Sequence, residues 1–139
     1  MKLLIGYDGS ECAAAALTDL RHAGLPQAVD VVVLSVADVW LAPEDAAPKP
    51  VEAAWLVEAI ERARAERRQA VERMRAEAEA GAQRIRRDFP GWSVQAEAAG
   101  DSPAWGILKR ADEWRPDLIV LGSQGRSGLG RLTALSRSR

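Results

Sequence analysis

Groups able to grip a phosphate gather in one stretch, Gly122-Ser123-Gln124-Gly125-Arg126-Ser127-Gly128-Leu129-Gly130, directly after the apolar run Leu118 to Leu121. Glycines tolerate positive φ and close backbone approach, so successive N–H groups can point into one concavity and hold phosphate oxygens. Arg126 adds a cation to that loop. Near the start of the chain, Asp8-Gly9-Ser10 closes a second apolar run, Leu3 to Tyr7. In open α/β sheets, ligands sit outside the carboxyl ends of strands where the strand order reverses, so Asp8 and Gly122 can belong to one site. Taken alone, the glycine-rich loop fits a plain surface loop equally well. A Walker A lysine pattern and a Gly-x-Gly-x-x-Gly after the first strand are both missing, which removes the main support for a P-loop hydrolase or a Rossmann dehydrogenase.

The remaining reactive side chains argue against catalysis. His22 is the only histidine and falls near the end of the first helix, where a surface role facing the helix dipole outweighs membership of a Ser-His-Asp triad. Cys12, the only cysteine, lies on the apolar side of that helix and reads as core rather than nucleophile. A single cysteine also excludes an intramolecular disulfide and a cysteine-based zinc site. Asp8, Asp38 and Asp101 all follow strands and are expected to gather there, which suits Mg²⁺ carried by a nucleotide but indicates no all-protein metal site. With no placed general base or catalytic lysine, no catalytic residue is assigned, and any hydrolysis of a bound phosphate is expected to be slow.

Alternating elements are needed to position these groups. Leu3 to Tyr7 reads as a buried strand, with Ser10 as N-cap of a helix carrying Ala16, Leu17 and Leu20 inward and stopping at Gly24 and Pro26. Val29 to Val36 is a second strand, apolar on both faces as parallel sheets require. Asp38 to Pro50, with three prolines, is an irregular connection. Glu52 to Asp88 is a long helix with apolar positions at Leu56, Ile60, Val71, Met74, Ala78 and Ile85, interrupted at Gly81, and its mixed Arg and Glu read as a solvated face rather than a nucleic-acid surface. Trp92 to Ala98 alternates as a half-buried strand near a sheet edge. Pro103 opens a further helix that stops at Arg115-Pro116, ahead of a fourth strand at Leu118 to Leu121. The fold class expected is α/β, a doubly wound open parallel sheet in three layers with right-handed crossovers.

The 139 residues fit one domain, and 47% hydrophobic with 28% charged residues is ordinary globular composition. A net charge of −1 gives no general attraction to nucleic acid or anionic membranes. No apolar run approaches a membrane span, and the opening residues lack a signal-peptide core, so the expected location is the cytoplasm. Of the five tryptophans, most are expected to pack helices on the sheet, while Trp40 and Trp55 flank the proline-rich connection and could form a partner surface.

The sequence resembles the universal stress protein family over nearly its whole length. Four segments carry the likeness: Tyr7-Asp8-Gly9-Ser10, Ser35-Val36-Ala37-Asp38, Gly100-Asp101-Ser102-Pro103, and Leu121-Gly122-Ser123-Gln124-Gly125-Arg126-Ser127-Gly128. The ATP-binding branch of the family carries Gly-x2-Gly-x9-Gly-Ser/Thr for phosphates and ribose, an acid after the first strand for the ribose and a backbone after the second for adenine. The resemblance therefore implies ATP or AMP, with or without Mg²⁺, bound by Asp8, Val36, Leu121, Gly122, Gly125, Arg126, Ser136 and Ser138. It also implies a regulatory stress-response protein that pairs as a homodimer or with a tandem domain.

Two departures qualify that expectation. Leu135 stands where the third glycine belongs, and a leucine resists positive φ and crowds a phosphate, which weakens nucleotide affinity. The family domain continues into a helix and a last strand, whereas this chain ends at Arg139, so Leu118 to Leu121 is expected as an apolar edge in need of cover. The alternative function is a dimerisation or partner-interaction module of the same fold that does not bind nucleotide.

Overall fold

Runs of β-branched and leucine side chains build the centre of the sheet. The computed structural model describes residues 1–39 and 54–122 together with the backbone of 135–136. Its elements are β1 (Lys2–Gly6), α1 (Glu11–Asp19) with a 3-10 turn at Leu20–His22, β2 (Asp30–Asp38), α2 (Ala54–Asp88), β3 (Ser93–Asp101), α3 (Pro103–Trp114), β4 (Leu118–Leu121) and β5 (Leu135–Ser136). Strand order is β3-β2-β1-β4-β5, with the first four parallel. Leu3, Leu4, Ile5, Val31, Val32 and Val33 are at most 2% exposed, each contributing about 1.5–3 kcal/mol by burial.

The chain runs outward from β1 to β3 with α1 and α2 on one face, where Leu17, Ala82 and Ile85 pack on Ile5, Val33 and Val94. It then crosses back to β4 with α3 on the other face, where Ile107, Ala111 and Trp114 pack on Leu4, Val32 and Leu34. The order of strands therefore reverses between β1 and β4. This is the doubly wound parallel arrangement that the alternating pattern predicts.

Helix ends follow the local chemistry. Ser10 Oγ accepts from Ala13 N–H at 3.2 Å and caps α1. Pro103 occupies the first turn of α3, and Arg115 ends it with φ 52°, ahead of Pro116. α2 runs for 35 residues, about 52 Å, without the interruption expected at Gly81. There the missing side chain makes room for Tyr7, whose Cδ1 would stand 2.9 Å from an added Cβ. Only Ala78, Gly81, Ala82 and Ile85 of α2 are buried, so the apolar positions nearer its start do not reach the sheet core.

The tryptophans divide. Trp92 is buried and donates Nε1–H to Pro26 O at 3.0 Å, and Trp114, the last residue of α3, is half-buried against the sheet, but Trp55 and Trp105 are 71% and 62% exposed. Trp40 and the proline-rich connection lie outside the described residues.

At the outer side of β4, Leu135–Ser136 pairs antiparallel, Leu118 opposite Ser136 and Ile119 opposite Leu135. The apolar edge thus meets a two-residue pairing, and no parallel strand beyond β4 occurs among the described residues. No described helix is long and apolar enough to cross a membrane.

Candidate functional site

The reversal between β1 and β4 opens a cleft of about 300 Å³ at their carboxyl ends. Gly6, Tyr7 and Asp8 leave β1 there, and Leu121 and Gly122 leave β4. Leu34 and Val36 of β2 form one wall, Pro103, Ala104 and Ile107 of α3 another, and Ala13 of α1 closes the far side. The volume falls at the small end of ordinary ligand sites, and the walls are largely apolar, as such sites are. A larger depression of about 960 Å³ runs past Trp105, Leu108 and Arg67 on the outer side of α3. It lies away from the reversal of strand order, so the smaller cleft is the better candidate.

Close packing at glycines shapes this cleft. At Gly6, an added Cβ would stand 2.6 Å from Leu121 Cδ2 and 3.2 Å from Ile107 Cδ1, so the bare backbone lets both side chains close over the strand end. Gly106 is buried inside α3, where a Cβ would meet both methyls of Val36 at 3.0 Å. Neither glycine was legible as a site-former in the sequence, although a glycine inside a strong helix pattern signals a close approach.

The end of β1 is held firmly. Tyr7 N–H donates to Leu34 O at 2.9 Å, and the fully buried Ser35 hydroxyl donates to Tyr7 O at 2.5 Å. Asp8 is exposed, and its Oδ1 accepts from Ser10 N–H at 2.9 Å, which leaves Oδ2 turned to no described partner. Gly9 follows with φ 79°, and Glu77 of α2 lies against it.

Of the site residues expected from the sequence, the fold brings Asp8, Val36, Leu121 and Gly122 together around one cleft. Gly125, Arg126 and Ser138 lie outside the described residues. Ser136 pairs with Leu118 at the amino end of β4, about 10 Å along the strand from the cleft. Its backbone is therefore not among the groups gathered at Asp8. The expected clustering of three aspartates does not form: Asp38 stands opposite Asp101 on β2 and β3, while Asp8 turns to Ser10. No group of three metal-ligating side chains occurs among the described residues. Cys12 is half-buried and His22 exposed, and neither lines the cleft.

The model of the universal stress protein family matches residues 1–138. The chain belongs to the universal stress protein family. Among solved structures, this universal stress protein is similar to hypothetical protein MJ0577, with 23% identity, a TM-score of 0.58, and coverage of 92% of this chain and 78% of that one. It is also similar to universal stress protein UspA from Lactobacillus plantarum, with 23% identity, TM-score 0.51, and coverage of 93% and 83%. A universal stress protein family protein from Arabidopsis thaliana, solved with AMP bound, matches at 14% identity and TM-score 0.54, covering 92% and 79%. These likenesses establish the fold. A search of curated proteins gave no match.

Proposed function

We propose that this universal stress protein is a regulatory module that binds an adenine nucleotide in the cleft between β1 and β4. The observation that carries the reading is the meeting of Asp8, Val36, Leu121 and Gly122 around one apolar-walled cavity at the reversal of strand order. The residues present fit the group. Val36, Ile107 and Leu121 offer apolar surface to a base, and the free oxygen of Asp8 can accept from a ribose hydroxyl. Phosphates, with or without Mg²⁺, then fall to the Gly122 loop, with Gly125, Arg126 and Ser138 as its proposed donors. The AMP bound in the Arabidopsis relative supports the same ligand class. The protein acts in the cytoplasm as a homodimer or beside a tandem domain, and any hydrolysis is slow.

Calorimetry of AMP and of ATP with Mg²⁺ tests this. The control is Ala104→Glu, which places a carboxylate at the cleft from an exposed position on α3 and leaves the core untouched. Micromolar binding, about −8 kcal/mol, is expected for the native chain and a loss of at least about tenfold for the variant. No saturable heat in the native chain sinks the proposal.

A second reading, a partner-interaction module without nucleotide, rests on the exposure of Trp105 and Leu108 on α3, 62% and 54%. It gains if calorimetry is silent.

A further inference from the structure

Among the described residues, β3 is the outer strand of the sheet on the side away from β5. Ser93 N–H donates to Val29 O at 2.9 Å, and the parallel register then runs unbroken to Asp38 opposite Asp101. Bonding groups alternate along a parallel strand, so those of Ser93, Gln95, Glu97 and Ala99 turn to β2. Those of Val94, Ala96, Ala98 and Gly100 turn outward. An outer row of this length, about 20 Å between Val94 and Gly100, is a template for another strand.

Two arginines of α2 occupy the ends of that row. Arg86 Nη2 donates to Val94 O at 2.8 Å, and Arg67 Nη2 donates to Gly100 O at 3.1 Å. Arg86 is also held through Nη1 by Glu79 Oε1 at 2.7 Å, which fixes its guanidinium beside the strand. At the other end, an added Cβ on Gly100 would stand 3.0 Å from Arg67 Nε, so the glycine is what lets that side chain lie close.

We infer that Arg67 and Arg86 guard the β3 edge against strand addition by a second copy of this chain. The strand is self-complementary: in antiparallel addition about an axis at Glu97, Val94 meets Gly100 of the second copy. Both blocked carbonyls then fall in the same bonding pair, and shifting the register by two residues still uses one of them. A pairing confined to Ala96 and Ala98 is too short to hold. Charge repulsion is not the barrier, because Glu97 is already paired with Arg110 Nε and Nη2 at 2.7 and 2.8 Å. The guard leaves association of this protein to its other surfaces.

The test compares the full chain with Arg86→Met, whose side chain is 42% exposed and removable without opening the core, and with Arg67→Met/Arg86→Met. The probe is a labelled peptide of the β3 sequence, Ser93 to Asp101, with circular dichroism and sedimentation alongside. Arg86→Met is expected to bind the peptide about tenfold more tightly than the native chain, and the double variant to gain mass with concentration beyond it. Adding Ala96→Pro, which removes an outward N–H that an edge strand can spare, is expected to abolish both gains. Unchanged peptide binding by a folded Arg86→Met overturns the inference even if the double variant fails to fold. Gains that survive Ala96→Pro overturn it as well.

Discussion

Gly122 abuts the first turn of α1: an added Cβ would stand 2.6 Å from Ala13 N and 2.7 Å from Ala13 Cα. The glycine that opens the candidate phosphate loop is therefore required first by packing, because backbone on the facing side cannot swing away. Gly122→Ala is expected to cost about 1–3 kcal/mol in urea denaturation. Native stability in that variant would contradict this packing. Ligand binding lost in a Gly122 variant would by itself report a displaced helix.

Gly81 sets two effects against each other. Alanine inside a helix gains about 1 kcal/mol over glycine by propensity. Against that, the new Cβ would meet Tyr7 Cδ1, Cγ and Cε1 at 2.9, 3.1 and 3.2 Å. The ring is rigid and packs against the core at the end of β1, so overpacking of about 1–3 kcal/mol wins. Gly81→Ala is expected to lower the thermal midpoint, and a raised midpoint would show that the ring yields.

Ser35 is the buried polar side chain of the described core, and its hydroxyl ties β2 to the turn that presents Asp8. Removing it leaves Tyr7 O without that donor in a largely dry place. Ser35→Ala is expected to cost about 1–3 kcal/mol in denaturant unfolding. A cost near zero would mean that water replaces the bond.

Asp8 separates stability from binding. It is exposed, and Asp8→Ala removes only its bond to Ser10 N–H, worth about 1 kcal/mol or less. On the proposed function, the same change weakens AMP about tenfold in calorimetry. Equal affinity in a folded Asp8→Ala would take the ribose contact away from this side chain.

The order of strands and helices was legible because apolar runs, caps and stops agreed: Leu3 to Tyr7, Ser10, Pro103 and Arg115-Pro116 each mark an element the fold contains. The meeting of Asp8, Val36, Leu121 and Gly122 around one cleft was legible for the same reason, since each lies near or just past the carboxyl end of a strand that a parallel sheet brings beside the others. What periodicity could not supply was depth of seating. Leu56 and Ile60 have the spacing of a buried face, but α2 outruns the sheet it covers, and Ile60 stays 37% exposed. The surroundings of glycines are hidden in the same way. Gly81 has the spacing of a break and is a seat for Tyr7, and Leu121 and Ile107 close over Gly6, which no neighbouring residue in the sequence marks. Such contacts join residues far apart in sequence and leave no local pattern. Ser136 shows the limit of carrying a motif by position, since it pairs at the amino end of β4, away from Asp8.

The most direct test of the central claim is amide chemical-shift mapping of the labelled chain as AMP is added. The account predicts saturable shifts centred on Gly6, Tyr7, Asp8, Val36, Ala104 and Leu121, where four elements and the turn after β1 meet around the cleft. Shifts confined to the outer side of α3 around Trp105 and Lys109, or none at saturating AMP, would contradict it.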